Sequence, residues 1–339
     1  MLLALLLVLY VVAMLTLVSF LQTEALDPSA PHTAVADDHG FASRHANAQR
    51  QLSVFAPPMA SADEERIIAA AVDLLSTSNP PLRGFLERRP PLAMLHMQLL
   101  RHLRALGAKG TASALAGSYR RAWERRAANH EAAVERRGEV ATWQMPASAG
   151  HWPAARELTH GEWAVRFVKI GLNCGRTTCG CPVKVERIGT YDTSAIVVEA
   201  HGEEKLKEFY HSLLECQAEA LDTDSLAAGR MLRAYEVFDL RGIRLAQVNL
   251  ATLRFARSML TTFSMCYPET TSRAVIINMP SFLRMPLRGL LEVLPERVRA
   301  KVSIFGDDYQ QVLASELDAD ALKLLSADHN DVVSHRCPR

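Results

Sequence analysis

The chain has 339 residues, of which 49% are hydrophobic and 22% charged, a composition typical of a globular protein that buries a full core. Its 38 Lys and Arg residues nearly balance its 37 Asp and Glu residues, which argues against nucleic acid as a partner because nucleic-acid binding normally needs a basic face. Aromatic residues make up only 6% of the chain, so a base-stacking surface is not indicated either.

Residues 1–22 contain a nearly continuous apolar run without a charged side chain. About twenty such residues can cross a hydrocarbon core of roughly 30 Å as a helix. The run therefore predicts a single N-terminal transmembrane anchor in an endomembrane. A cleaved signal peptide is the alternative, because Thr23–Ala25 offers a small-residue cleavage site. In that case the mature protein would be secreted or lumenal.

Residues 23–60 are rich in Ala, Ser, Pro, Asp and His and show no periodicity. This composition predicts a flexible linker, because too few apolar side chains are available to offset the entropy lost on ordering. The linker would separate the N-terminal helix from the folded part of the chain.

Residues 61–145 predict a small all-helical domain. Its first helix begins at a cap provided by Ser61 or Asp63 and carries apolar residues at helical spacing. Two further helices are predicted at Met94–Leu106 and Thr111–Arg126. Glycines between them provide the break.

Three cysteines, Cys174, Cys179 and Cys181, cluster in a loop-rich segment that spans Gly150–Gly189. A structural zinc site needs four ligands, usually as two close pairs, and candidate fourth ligands lie far along the sequence. We therefore predict no metal site and interpret the cysteines as residues of a surface loop. The sequence leaves open whether they form a disulfide.

The last part of the chain alternates between helical and strand patterns. Gly202–Leu221 predicts an amphipathic helix and Asp222–Gly229 a turn. Three apolar runs of strand length follow, at Tyr235–Leu240, Ala274–Asn278 and Val302–Phe305. About thirty residues separate the first two, which is long enough for a crossover helix. This alternation predicts an α/β fold whose parallel strands are covered on both faces.

Four motifs in this part of the chain occur in a characteristic order. They are FDLRGI at Phe238–Ile243, YPE at Tyr267–Glu269, INMP at Ile277–Pro280 followed by Phe282, and KVSIFG at Lys301–Gly306. Together they resemble the CRAL-TRIO lipid-binding domain, and LLRHLRA at residues 99–105 is similar to a helix of the small domain that precedes it. The resemblance implies a CRAL-TRIO domain at residues 150–330, with a mostly parallel sheet, crossover helices and a gate helix.

The resemblance also implies where a ligand would lie. Relatives that handle phosphatidylinositol use a Glu in the YPE motif and a Lys that opens the last strand, and Glu269 and Lys301 match these head-group residues. Other polar positions of that pattern are not matched; Leu106–Gly107, for instance, stands where a basic pair is usual. In the family, the segment after the third motif is a gate over an acyl-chain cavity, although a Leu-rich helix packed on the sheet would have the same pattern. The predicted cavity and gate residues are Phe282, Leu287, Leu290, Leu291, Leu294, Ser303 and Phe305.

The sequence contains no nucleophile elbow, phosphate-binding loop or HExxH zinc motif. We therefore predict a protein without enzymatic activity and without a cofactor. The implied function is binding of a phospholipid or other hydrophobic ligand, for transfer or presentation at a membrane. The alternative is an interaction or scaffold module that retains the fold without a functional lipid cavity.

Overall fold

The computed structural model describes most of the helical and α/β parts of the chain. The described residues are 59–78, 92–137, 152–244, 262–280 and 300–326, with the single residues 247, 255, 258 and 259. The predicted anchor at residues 1–22 lies outside these ranges, as does nearly all of the predicted linker. Within the ranges, no helix combines the length and the apolar character needed to cross a membrane.

Three helices form the first described part of the chain: α1 (Ala62–Ser78), α2 (Leu92–Leu106) and α3 (Ala112–Arg137). Ser61 caps α1, because the Glu64 N–H donates to Ser61 Oγ at 3.3 Å and the Ser61 N–H donates to Glu64 Oε2 at 2.8 Å. All three predicted helices are therefore present, and α3 extends beyond its predicted end. Their apolar faces share one core, which includes Ile68, Ala71, Leu75, Leu99, Leu103, Leu115 and Tyr119.

A five-stranded sheet forms the centre of the remaining chain. Its strands are β1 (Ile170–Gly171), β2 (Val183–Glu186), β3 (Ala234–Asp239), β4 (Thr271–Ile277) and β5 (Val302–Ile304), in the spatial order β1-β2-β3-β4-β5. The first pair is antiparallel and the other three pairs are parallel. Parallel neighbours that are consecutive in sequence need crossover connections. The predicted α/β fold with a mostly parallel sheet is thus confirmed.

Three helices surround the first strands: α4 (Gly161–Ala164), α5 (Thr193–Val198) and α6 (Gly202–Ala228). The predicted turn at Asp222–Gly229 is wrong, because α6 continues to Ala228. Its polar residues are stabilised by contacts within the core: Asp222 forms a buried ion pair with Arg101 at 2.7 Å, and Ser225 Oγ accepts from the Leu232 N–H at 2.8 Å. The helix ends at Gly229, whose φ of 63° is left-handed.

Different elements cover the two faces of the sheet. On one face, helices α7 (Gln310–Glu316) and α8 (Ala319–Ser326) pack against a core cluster that includes Val183, Val185, Tyr235, Val237, Val275 and Ile277. On the other face, Tyr210 and Gln217 of α6 contact glutamates of β2 and β3. We refer to these as the C-terminal-helix face and the α6 face.

The turn after β3 connects two of the motifs found in the sequence. Asp239 ends the strand, and its Oδ1 accepts from the Arg241 N–H at 2.9 Å and from Asn278 Nδ2 at 2.7 Å. Gly242 has a φ of 82°, which favours glycine. Gly189 lies against the same turn, because a Cβ there would come within 2.1 Å of the Arg241 carbonyl oxygen. These contacts explain the DxxG spacing.

Candidate functional site

The two predicted head-group residues lie at the amino-terminal ends of neighbouring strands. Glu269 precedes β4 in a left-handed conformation, with a φ of 56°, and its side chain is 1% exposed. Lys301 immediately precedes β5, and the Ala274 N–H donates to its carbonyl oxygen at 2.8 Å. The parallel pairing therefore brings the two side chains together, and Lys301 Nζ lies 3.6 Å from Glu269 Oε2.

A third charged residue, Arg233, joins this pair from the neighbouring strand. It immediately precedes β3, and its Nη2 lies 2.6 Å from Glu269 Oε2. We call Arg233, Glu269 and Lys301 the amino-edge triad. Two cationic groups and one carboxylate give the triad a formal charge of +1. Of the three side chains, that of Lys301 is the most exposed, at 28%. An anion from solvent would therefore meet the Lys301 ammonium first.

Helix α2 fixes the backbone of the triad. Arg101 Nη1 donates to the Glu269 carbonyl oxygen at 2.7 Å, and Arg101 Nη2 donates to the Leu232 carbonyl oxygen at 3.0 Å. Its Nε donates to Asp222 Oδ1 at 2.7 Å. One buried arginine therefore holds the residue next to Arg233 and the turn that carries Glu269. This arginine lies in the LLRHLRA motif, whose structural role is thereby explained.

The remaining predicted site residues have two different outcomes. Phe282, Leu287, Leu290, Leu291 and Leu294 lie outside the described residues, so the gate stays a prediction. Ser303 and Phe305 are described and lie on the C-terminal-helix face: Ser303 Oγ accepts from Arg273 Nη2 at 2.7 Å, and Phe305 packs against the core cluster of that face. Protein side chains already contact both residues, and their place in a lipid cavity stays a prediction.

The opposite side of β5 has a different character. Strand alternation directs Val302 and Ile304 away from the C-terminal-helix face. Both residues are only half-buried, although Ile276, which pairs with Ile304 in register, is 2% exposed. Ser303 and Phe305 are half-buried as well, so exposure alone does not select one side of β5 for an acyl chain.

A second polar cluster lies on the α6 face, at β2 and β3. Lys184 Nζ lies 3.3 Å from Glu186 Oε2 and 3.8 Å from Glu236 Oε2. The hydroxyls of Tyr191 and Tyr210 donate to Glu186 Oε1 at 2.7 and 2.8 Å. Burial lowers the pKa of Lys184, but the two carboxylates outweigh this effect and raise it overall. This cluster could not be predicted from the sequence, because charged residues that alternate along a strand usually face solvent.

A small polar cleft separates the helical part from the sheet. Its lining includes His102, Arg126, Glu215 and Tyr267, and its volume is about 20 Å³, room for roughly one water molecule. Arg126 Nη2 lies 2.5 Å from Glu215 Oε2, and the Tyr267 hydroxyl donates to Glu215 Oε1 at 2.6 Å. The cleft is therefore too small and too internally paired for a lipid head group.

The three clustered cysteines lie in the segment between β1 and β2. Across the described ranges, no group of three or more His, Cys, Asp or Glu side chains is placed to hold a metal ion. Cys174, Cys179 and Cys181 are buried thiols, so they do not lie on an exposed loop as the sequence had indicated.

One protein-family model matches the part of the chain that contains the sheet. The model described as the CRAL/TRIO domain matches residues 168–323, a range that contains all five strands and the amino-edge triad. This match confirms the resemblance to the CRAL-TRIO family that the sequence motifs carry, since all four motifs lie within the matched residues.

Two curated relatives match part of the chain, and both are named as phosphatidylinositol/phosphatidylcholine transfer proteins of Arabidopsis thaliana. SFH7 is 24% identical over 147 residues, which are 42% of this chain and 26% of that protein. SFH12 is 28% identical over 156 residues, which are again 42% of this chain and 26% of that protein. The matched segment thus spans about a quarter of each relative.

Among the solved structures that align with this chain is one from a protein named Sfh5. It is titled "Crystal structure of Sfh5", and it aligns with a TM-score of 0.37 and 12% identity over 50% of this chain and 61% of that chain.

Proposed function

We propose that this chain binds a phospholipid, or another hydrophobic ligand, without chemical conversion and transfers or presents it at a membrane. The amino-edge triad carries the proposal. Glu269 and Lys301 are the two positions that the family resemblance implies for a head group, and they lie 3.6 Å apart. With Arg233, the triad has a formal charge of +1, which complements a phosphodiester.

The names of the matched relatives support a phospholipid as the ligand. A phosphate beside Lys301 would gain a charge-assisted hydrogen bond, which is stronger than a neutral one. The acyl chains would contact the half-buried side chains of β5, and the predicted gate would cover them. Each CH₂ removed from water contributes about 0.8 kcal/mol, so the cavity must be as apolar as the bilayer that the lipid leaves.

We further propose that residues 1–22 attach the protein to an endomembrane, on the basis of their apolar run. Sequencing the N-terminus of the mature protein tests this. A mature protein that begins near Thr23–Ala25 would support the signal peptide instead, and would make the protein secreted or lumenal.

One observation favours a second candidate function. The Glu269 carboxylate is already engaged by Arg233 at 2.6 Å, and the polar cluster on the α6 face is internally paired. A scaffold module without a working cavity could keep these same contacts.

A transfer assay separates the two functions. Donor vesicles would contain fluorescent phosphatidylinositol, and acceptor vesicles would contain unlabelled phosphatidylcholine. We expect the transfer rate to rise in proportion to protein concentration. Transfer no faster than in vesicles without protein would favour the scaffold module.

A further inference from the structure

Two thiols meet in the turn between β1 and β2. Cys179 Sγ and Cys181 Sγ lie 3.8 Å apart, and Gly180 between them has a φ of 85°. The Gly180 N–H donates to the Thr177 carbonyl oxygen at 2.8 Å, and the Cys181 N–H donates to Thr177 Oγ1 at 3.0 Å. A disulfide has an S–S distance of about 2.0 Å, so the two sulfurs need to approach by roughly 1.8 Å.

The surroundings of the two thiols differ. Cys181 is 0% exposed and Cys179 is 8% exposed, so a reagent reaches Cys179 first. Thr177 Oγ1 lies 3.0 Å from Cys179 Sγ, and Arg230 Nη2 donates to the Cys179 carbonyl oxygen at 2.7 Å. Hydrogen bonding from Cys181, followed by Thr177 and the charge of Arg230, lowers the pKa of Cys179 to about 6. At neutral pH this favours a thiolate, the nucleophilic form of cysteine.

The same contact has the opposite effect on Cys181. The hydrogen bond with Cys179, together with burial, raises the pKa of Cys181. When Cys179 becomes part of a mixed disulfide, Cys181 Sγ therefore remains a thiol next to the sulfur that it would attack. This arrangement divides the pair into an attacking and a resolving cysteine.

We propose that Cys179 and Cys181 are a reversible redox site that low-molecular-weight disulfides such as glutathione disulfide oxidise to an intramolecular disulfide. The Cys179 thiolate attacks one sulfur of glutathione disulfide, a Cys179–glutathione bond forms, and one glutathione thiolate leaves. The Cys181 thiol then attacks Cys179 Sγ, the second glutathione leaves, and the Cys181 proton passes to the departing glutathione sulfur. Two cysteines are oxidised and one glutathione disulfide is reduced to two glutathione molecules.

The turn explains why this disulfide would be reversible. Only Gly180 lies between the two cysteines, so cross-linking them constrains the unfolded chain very little and gives little stabilisation. Two backbone N–H groups before the pair also hold the turn to α7 and to the residue that precedes α8: the Arg176 N–H donates to Asp318 Oδ2 at 2.6 Å, and the Thr178 N–H donates to the Glu316 carbonyl oxygen at 2.8 Å. Closure is therefore confined to the turn, and strained disulfides of this kind are readily reduced.

The test incubates the full chain in glutathione buffers of graded oxidation, quenches with acid, alkylates the remaining thiols and maps them by mass spectrometry. Cleavage after Arg176 and Lys184 isolates both cysteines in one peptide. We expect this peptide to lose both alkylation sites and to become lighter by two hydrogen atoms as the buffer becomes oxidising, and a dithiol reductant to restore it. Cys216 and Cys266 serve as internal controls, because burial raises the pKa of each to about 12.

Single variants identify the roles within the pair. Cys181→Ser should stop at the Cys179–glutathione mixed disulfide, whereas Cys179→Ser should remain unmodified at Cys181. Cys216→Ser should behave as the unmodified chain. The proposal is overturned if the wild-type peptide stays doubly alkylated in oxidising buffer, if a glutathione adduct accumulates there without closure, or if Cys216 and Cys266 react equally fast.

Discussion

Lys301 Nζ lies 3.6 Å from Glu269 Oε2, although the two residues stand at the starts of different strands. The link between them is the register of β4 and β5, in which Ala274 pairs with Val302. Residues that precede neighbouring parallel strands meet at one edge of the sheet. Arg233 precedes β3 and joins them there. The amino-edge triad therefore depends on strand register. Each of its three charges can be tested by its own substitution.

Replacing Lys301 by Ala should weaken binding of an anionic phospholipid about tenfold, because a charge-assisted hydrogen bond contributes about 1.5–3 kcal/mol. Binding of a neutral lipid should hardly change. Vesicle-binding titrations with phosphatidylinositol and with diacylglycerol measure the difference. Lys323→Ala, at an exposed position of α8, is the control and should bind both lipids as the unmodified chain does.

A double-mutant cycle with Glu269→Gln extends this test. If Lys301 and Glu269 act on one head group, the losses should not add, and the coupling should exceed about 0.5 kcal/mol. Additive losses would show that the two residues act independently. If Lys301→Ala weakened the binding of phosphatidylinositol and of diacylglycerol equally, the substitution would have damaged β5.

Replacing Arg233 by Gln should destabilise the fold as well as the site. Glu269 is 1% exposed, and removing Arg233 breaks the shorter of its two ion pairs in the triad, 2.6 Å against 3.6 Å to Lys301. We expect the free energy of unfolding to fall by about 3 kcal/mol, measured by urea denaturation. Adding Glu269→Gln should recover part of this loss. A double variant that is less stable than Arg233→Gln alone would contradict the assignment.

Arg101→Ala should be among the most destabilising single substitutions at a charged residue. It leaves Asp222, which is 2% exposed in its side chain, without its guanidinium, and it removes the hydrogen bonds to the Glu269 and Leu232 carbonyl oxygens. We expect a loss of about 3–5 kcal/mol in urea denaturation. Arg66→Ala removes an ion pair whose side chains are both 78% exposed, and it should cost less than about 1 kcal/mol. Similar losses for both variants would refute the role given to Arg101.

His102 should make stability depend on pH. In the folded protein, burial lowers its pKa from 6.5 to about 3, and the charges of Arg126 and Arg121 add to this effect. As the pH falls below 6.5, the unfolded chain takes up a proton at His102 and the folded protein does not. This contribution to the free energy of unfolding is therefore complete above pH 6.5 and is lost by about 1.4 kcal/mol per pH unit between pH 6 and pH 3.

His102→Gln removes the titrating group and keeps a partner for Ser118, whose Oγ lies 3.1 Å from His102 Nδ1. Urea denaturation at pH 7 and pH 5 compares the two proteins. The unmodified chain should lose about 2 kcal/mol more than the variant over this interval. Comparing the pH dependence, rather than the stability at one pH, separates titration from any loss of packing. The same loss in both proteins would contradict the lowered pKa.

The sequence was informative where the physical signal is local. Apolar runs predicted the strands β3, β4 and β5 to within three residues at each end, because parallel strands are buried on both faces. The motifs that resemble the family then selected Glu269 and Lys301, two side chains that the structure brings within 3.6 Å of each other; their role at a head group stays a prediction. Neither inference required knowledge of which strands are neighbours.

The errors arose where tertiary contacts decide the structure. The Asp, Thr and Ser residues after Leu221 are typical of a turn, but Arg101 and the Leu232 N–H, both distant in sequence, stabilise them within α6. Arg233 was missed because a single arginine before a strand usually faces solvent. Its role follows only from the register that places it beside Glu269. The buried ion pairs of Lys184 were missed for the same reason.

The most direct test of the proposed function is the lipid content of the purified protein. Lipids would be extracted from the full chain, purified from cells in its folded state, and quantified by mass spectrometry against the protein. We predict about one phospholipid per chain, and its loss in the variant with Leu290→Asp and Leu294→Asp in the predicted gate, since a buried charge there is costly. A folded protein that retains no stoichiometric lipid would contradict the account and favour a scaffold module.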